Sequence, residues 1–347
     1  MVRVGLIGFG LAGQAFHAPV IRGVPGMELA CVLERSGSKA QEKYPDVRVA
    51  RTLDELLADK NIQLCVVATP NDSHFSIAKA CLEAGRDVVV DKPFALTLAE
   101  AEELVRLAAE RKRLITVYHN RRWDGDFQTV KQLVASSAVG RVAEYEVRYD
   151  RFRPDPKANA WREREGPGSG VFFDLGPHLI DQVLDLFGAP QAVSASLFRQ
   201  REWSVVDDAF DLCLVYPGKL VMLRSRMLAL APGPHFLIHG TKGSFVKFEM
   251  DPQEERLRAG RVPDGKDWGA DWGEDLEAQW GTLSLASGST TRIKTERGDY
   301  RGFYANVRDA IVEGAPLAVT PEQALRTMRV VELARKSSGE KRTMAWG

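Results

Sequence analysis

Cysteine is scarce in this chain: four residues in 347, at Cys31, Cys65, Cys81 and Cys213, with no CxxC pair among them. That scatter excludes a paired-thiol redox centre or a zinc ribbon. Two of the four sit in apolar segments, the setting of buried free thiols in a reducing cytoplasm. Histidine is nearly as sparse, with six residues, and no metal site is expected. Net charge is absent altogether, because 47 Lys and Arg balance 47 Asp and Glu. No broad basic face for nucleic acid is therefore expected. Nor is there an apolar run long enough to cross a bilayer. The apolar segment that opens the sequence lacks a basic leader and breaks on glycine, so it does not read as a secretory signal.

What the chain does have is 44% hydrophobic and 27% charged residues, an ordinary globular composition over a length that suggests roughly two domains. Apolar runs at Val2–Ile7, Met27–Leu33, Leu64–Ala68, Asp87–Val90 and Leu114–Tyr118 alternate with amphipathic stretches. This is the grammar of a parallel sheet covered by helices. Thr97-Leu98-Ala99-Glu100 is a capping box that opens a helix to about Lys112. Another helix, from about Ser73, should stop at Gly85.

The pattern then changes. Ala143, Tyr145, Val147 and Tyr149 alternate with Glu144, Glu146, Arg148 and Asp150, as in a strand with one covered and one polar face. Further strands are expected at Ala192–Arg199, Asp208–Tyr216, Leu220–Met227, Phe236–His239 and Ser244–Glu249, with a turn at Pro217-Gly218. Residues 251–300 read as long loops around short strands, and a last helix follows Thr320-Pro321-Glu322. The expected fold is α/β: an N-terminal Rossmann doubly wound parallel sheet over 1–121, then a C-terminal α+β domain on a mainly antiparallel open sheet over 122–347. The exposed face of the second sheet is the expected surface for assembly as a homodimer or homotetramer.

Chemistry concentrates where the strands end. Gly8-Phe9-Gly10-Leu11-Ala12-Gly13 joins the first strand to a helix-like stretch, the context in which a glycine triplet cradles a dinucleotide pyrophosphate. Glu34 ends the second strand about 20 residues on, where an acid holds ribose hydroxyls. Three further clusters follow later strands: Thr69-Pro70-Asn71 with His74 beyond it, Asp91-Lys92-Pro93, and Tyr118-His119-Asn120-Arg121-Arg122-Trp123. Lys92, at the end of an apolar strand, is an odd place for a surface charge; its bland alternative is a salt bridge to Asp91. Asp174 and His178 lie four apart, on one face if helical, and have the makeup of a general-base unit. Alternatively, Asp174 caps a helix from Leu175 to Phe187. His17 reads as a packed histidine. Arg153 and Arg162 either contact substrate hydroxyls or lie along a solvated loop, and Trp268 and Trp272 default to packing.

In combination, Gly8-x-Gly10-x-x-Gly13, Asp91-Lys92-Pro93 and Asp174-x-x-x-His178 resemble the Gfo/Idh/MocA family of nicotinamide-dependent oxidoreductases over essentially the whole chain. Tyr118–Asp124, Arg151–Pro154, Trp161–Glu163 and Gly166–Gly170 are similar to the branch that holds NADP-dependent scyllo-inositol dehydrogenases. One departure is Asp91, where the family usually has Glu. The resemblance implies Lys92, Asp174 and His178 as the catalytic group, with Trp161 and Arg162 near the nicotinamide. Gly8 to Gly13, Glu34, Arg35, Ser36, Thr69, Pro70, Asn71, His74, Asp91 and Asn120 are then expected at the cofactor. Lys92, Tyr118, Asn120, Arg153, Asp174 and His178 are expected at the substrate. A hydride would pass between NAD(P) and a hydroxyl-bearing carbon of a cyclic polyol or sugar-like molecule. Two other functions fit the same motifs: an NAD-dependent glycosidase, and a nucleotide-binding regulator without catalysis. The cofactor stays open, since Glu34 favours NAD while Arg35, Ser36, Ser38, Lys39 and the family branch favour NADP.

Overall fold

The computed structural model describes residues 1–156, 161–263 and 272–347. Six strands, β1 (Val2–Ile7), β2 (Met27–Leu33), β3 (Arg48–Ala50), β4 (Leu64–Val67), β5 (Asp87–Val90) and β6 (Ile115–Val117), form a parallel sheet in the order β3-β2-β1-β4-β5-β6. The inner strands β1, β4 and β5 are almost wholly apolar because helices cover both faces of such a sheet. Helices α1 (Ala18–Arg22), α2 (Lys39–Lys43), α3 (Leu53–Leu57), α4 (His74–Glu83) and α5 (Leu98–Arg111) lie between these strands in sequence. Thr97 caps α5 with both halves of the expected capping box in place. The stretch after the glycine turn, Ala12–His17, is wound as a π-helix before α1 begins.

The second sheet has nine strands: β7 (Val142–Asp150), β8 (Ala192–Phe198), β9 (Ala209–Tyr216), β10 (Lys219–Arg226), β11 (Phe236–Gly240), β12 (Gly243–Lys247), β13 (Gly281–Leu285), β14 (Thr290–Ile293) and β15 (Met344–Ala345). Their order is β14-β13-β12-β11-β7-β10-β9-β8-β15, antiparallel except for the β7–β10 pair. Tyr145, Val147 and Tyr149 of β7 turn to a core shared with α6 (Gly125–Ala135), α7 (Val171–Phe187) and the later turns of α10 (Pro321–Glu340). Glu144 and Arg148 turn the other way, as the alternation requires. Residues 251–300 hold the expected short strands as the β13–β14 hairpin, and also a helix, α8 (Gln253–Arg258), while α9 (Arg301–Glu313) follows them.

The chain divides into two units, but not into two consecutive segments. The first unit comprises Met1–Trp123, Pro252–Trp272 and Asp299–Leu325, and the second Asp124–Asp251, Gly273–Gly298 and Arg326–Gly347. The expected division at 121/122 thus falls near the first crossing only. Later segments return because Leu257, Trp272, Tyr300, Phe303, Tyr304, Val307 and Val319 complete the apolar core around β1 and β2. Among the described residues, no helix is long and apolar enough to cross a membrane.

Candidate active site

Parallel pairing fixes where the first unit presents its chemistry. The register sets Ile7 beside Leu33 and Val67, Val67 beside Val90, and Val90 beside Val117. All the carboxyl ends therefore share one edge, and that edge carries Gly8–Gly13, Glu34–Ser36, Thr69–Asn71, Asp91–Pro93 and Tyr118–Asn120. The three glycines meet three different constraints. Gly8 has φ +100°, and a Cβ there would lie 2.6 Å from the Ala68 carbonyl oxygen. At Gly13 a Cβ would lie 2.3 Å from the Gly8 carbonyl oxygen. At Gly10 it would meet nothing within 4 Å among the described residues, so no neighbour in the chain accounts for that glycine. Phe9 is buried edge-on to Tyr44, while Leu11 is exposed and leads through Ala12 into the π-helix.

Asp91 is the most constrained charge on this edge. One carboxylate oxygen accepts the Lys92 N–H at 2.8 Å, and the other faces Nε2 of His17 at 3.7 Å. Burial pushes this carboxyl up, yet the His17 imidazole, Lys92 and His74 together hold it down at about 2. His17 is itself fixed, with Nδ1 2.6 Å from the Tyr304 hydroxyl and its ring 4.3 Å from that of Tyr118.

His74 is fully buried, and its two ring nitrogens lie 2.8 Å from the Pro93 carbonyl and 3.0 Å from the Thr69 carbonyl. It ties the turn after β4 to the turn after β5, and burial pushes its imidazole pKa down. His74, the first residue of α4, thus braces from behind the edge the turns expected at the cofactor. Tyr118, expected at the substrate, is buried and its hydroxyl donates to the Phe16 carbonyl at 2.9 Å. Arg121 pairs with Glu254, and Arg122 donates to the Ala318 carbonyl and to Gln323, so these two cations serve the interior of the first unit.

At the end of β2, Oε2 of Glu34 accepts the Ala40 N–H at 3.0 Å, an orphan donor of the first turn of α2 that the Ser38 side chain leaves unbonded. Arg51 donates to the carbonyls of Glu34 and Gly37, each at 2.8 Å, and closes the same turn from the other side. Arg35, Ser36, Ser38 and Lys39 are left exposed around it.

In the second unit, α7 starts earlier than expected. It runs from Val171, with Gly170 at its N-cap position and Pro177 inside it, so Asp174 sits within the first turn and the capping alternative falls. Asp207 takes over the capping, accepting the Phe172 N–H at 2.7 Å. Asp174 instead pairs with Arg162, Oδ1 to Nε at 3.1 Å. His178 follows one turn later, largely buried. Trp161 opens a short turn, Trp161–Glu163, but its side chain, like Trp268 as a whole, lies outside the described residues. Arg153 is exposed. His235 and His239 have a spacing that would suit zinc on a helix, but they occur at a strand, where Nδ1 of His235 bonds the Arg148 carbonyl and Nδ1 of His239 the Ser244 hydroxyl.

The sequence matches two family models, the NAD-binding Rossmann fold of the Gfo/Idh/MocA oxidoreductases over residues 2–119 and their C-terminal alpha/beta domain over 131–346. The chain belongs to the Gfo/Idh/MocA oxidoreductase family. A relative from Escherichia coli (strain K12), the oxidoreductase YdgJ, is 43% identical, with 99% of this chain and 98% of YdgJ aligned. The scyllo-inositol 2-dehydrogenase (NADP(+)) IolW of Bacillus subtilis (strain 168) is 39% identical, with coverage of 99% and 95%. The crystal structure of oxidoreductase yvaA from Bacillus subtilis superposes with a TM-score of 0.94 at 38% identity, covering 99% of this chain and 98% of that one.

The NAD(P) dinucleotide of the family fits the first unit on a feature of this chain, the open space over Gly10 between two glycines that the fold itself requires. The residues to hold it would be the backbone from Gly8 to Gly13, the turn after Glu34 and the turn at Thr69–Asn71. Gly10→Val should fold normally and weaken dinucleotide binding by more than tenfold, because the new side chain takes the space of the pyrophosphate; titration calorimetry with NAD and NADP reads this directly. Asp91 yields a second expectation. Its carboxyl titrates lower in the folded state than the free value of 3.8, so its stabilising contribution is fully present above about pH 4 and is lost as pH falls towards about 2. Asp91→Asn should therefore cost about 2 kcal/mol at pH 7, a deficit that shrinks on acidification in urea titrations.

Proposed function

We propose that this oxidoreductase transfers a hydride between NADP and a secondary alcohol carbon of a cyclic polyol or sugar-like substrate, as an inositol dehydrogenase does. The observation that carries the proposal is the 39% identity to the scyllo-inositol 2-dehydrogenase (NADP(+)) IolW over 99% of this chain, together with the presence of Lys92 at the cofactor edge and of Asp174 and His178 one turn apart on α7. The bound dinucleotide would supply the hydride acceptor. The remaining work falls to the chain: a hydroxyl must lose its proton and an alkoxide must be stabilised as it forms. Lys92 offers a fixed cation for that oxygen. His178 accepts the hydroxyl proton, and Asp174, turned by Arg162, grips or orients the same group.

The NADP preference is supported by the turn after β2. One oxygen of Glu34 is committed to the Ala40 N–H, which leaves that acid as a brace for an exposed turn of two cations and two hydroxyls suited to a 2′-phosphate. Assembly as a homodimer or homotetramer belongs to the same proposal. The face of the second sheet opposite its core carries Met222 and the half-exposed charges Asp211, Arg224 and Arg226, and sedimentation should give the mass of two or four chains.

Lys92→Ala should bind NADP normally and lose turnover by roughly two orders of magnitude or more. Near-normal formation of NADPH from inositols and aldoses by this variant would end the mechanism. A regulator would form no NADPH in the wild type, and a glycosidase none in net. Glu34→Ala should lower affinity for NADP more than for NAD, about tenfold in the ratio, because the phosphate-binding turn loses its brace while the rest of the cradle is untouched. An unchanged ratio in fluorescence titrations would remove Glu34 from cofactor selection.

A further inference from the structure

A buried ion pair remains that the proposed chemistry does not use. The side chains of Arg201 and Asp208, in the connection between β8 and β9, are 2% and 0% exposed and join Nε to Oδ2 at 3.0 Å. Asp208 also accepts the N–H groups of Gln200 at 2.6 Å and Arg201 at 3.0 Å, so its charge is well compensated. The second arm of the guanidinium reaches outward: Nη1 lies 3.1 Å from the Arg153 carbonyl and 3.3 Å from Oε1 of Glu163. Trp203 stacks over the guanidinium at 4.2 Å and donates its indole N–H to the Pro154 carbonyl at 2.7 Å. One connection thus holds the backbone at Arg153–Pro154 and the side chain next to Arg162.

The same connection holds the start of α7. Asp207 accepts the Phe172 N–H, and its carbonyl accepts the Val171 N–H at 2.8 Å. Gly170, at φ +94°, has no room for a Cβ, which would fall 2.3 Å from Oδ1 of Asp207, and its own N–H bonds the Arg162 carbonyl at 2.9 Å. Burial pushes the Asp207 carboxyl up, with the Phe172 N–H opposing it. Two tethers therefore run from adjacent residues, one through Asp208 and Arg201 to Glu163, the other through Asp207 to α7. Their far ends carry Arg162 and Asp174, which meet at 3.1 Å.

We infer that Arg201 is a positioning residue for substrate binding: with Asp208 and Glu163 it sets where Arg162 stands against Asp174, and so which way the Asp174 carboxylate faces. This rests on the proposal that Asp174 contacts the substrate. Only a planar fork can serve Asp208, Arg153 and Glu163 together, so lysine is not an equivalent.

The test compares wild type, Arg201→Lys, Glu163→Gln and the double variant Arg201→Met/Asp208→Asn, which removes both buried charges together and keeps a side-chain oxygen for the Gln200 and Arg201 N–H groups. Two readouts are taken from each variant: steady-state kinetics with the best inositol or aldose, and hydrogen exchange of the segment 162–172. Arg201→Lys should raise the substrate KM on the order of ten- to a hundredfold while NADP affinity stays within about twofold of wild type. The Gly170 amide should exchange faster in the same variant, with β7 unchanged. Glu163→Gln should give a smaller rise in KM in the same direction. Unchanged KM together with unchanged exchange in the folded lysine or double variant would overturn the inference, as would faster exchange with no change in KM. A wild type that oxidises no polyol would reject the functional proposal alone, because the exchange measurement still decides whether Arg201 holds Arg162 and α7 in place.

Discussion

The site depends first on the parallel register of β1 with its neighbours. Ile7 lies between Leu33 and Val67, and this one placement sets the glycine turn, the Glu34 turn and the Thr69 turn along a single edge. A slip by one residue would invert every side chain of a strand that is apolar on both faces, so little in β1 itself selects the register. The selection comes from its surroundings: Gly8 can only pass against the Ala68 carbonyl, and Gly13 against Gly8, when the strands are aligned as found. Glycine here specifies register as much as it admits a ligand.

The sequence was most legible where one pattern had one structural meaning. Strands β1, β2, β4, β5 and β6 and the capping box at Thr97 stand where periodicity and side-chain chemistry put them. Legibility failed where the deciding partner is distant in sequence. The capping alternative for Asp174 could not be set aside locally, because the actual cap, Asp207, comes from the far end of a hairpin connection. Tyr118 enters the expected substrate set through the family motif and not through a local signal, and only its burial shows that it belongs to the core. β3 has three residues and an exposed first position, too little for a period-two signal. In α9 the apolar residues Phe303, Tyr304 and Val307 do follow helical spacing, masked by the Gly- and Asp-rich segment before them.

Buried polar groups in this protein are organised into braces. His74 joins two strand-end turns, Glu34 closes the turn before α2, and Arg201 with Asp208 fastens α7 to the Trp161–Glu163 turn. Lys247 and Asp275, both nearly inaccessible, pair behind the hairpin of the second sheet. In the Arg201–Asp208 pair the carboxylate also accepts two backbone N–H groups, which keeps the cost of desolvation low, and each brace fixes a direction that apolar packing alone would leave free.

The order in which the chain visits the two units has a consequence for biosynthesis. The dinucleotide edge is encoded before residue 123, yet Tyr300, Phe303, Tyr304, Val307 and Val319, which close the core beneath it, are made only after β7 to β14 of the second sheet. His17 must wait for Tyr304 before its hydroxyl partner exists. As the polypeptide leaves the ribosome, the second unit has nearly all of its strands in hand while the first is still missing part of its floor. The nucleotide cradle thus becomes fully native only after residues far downstream of it have been made.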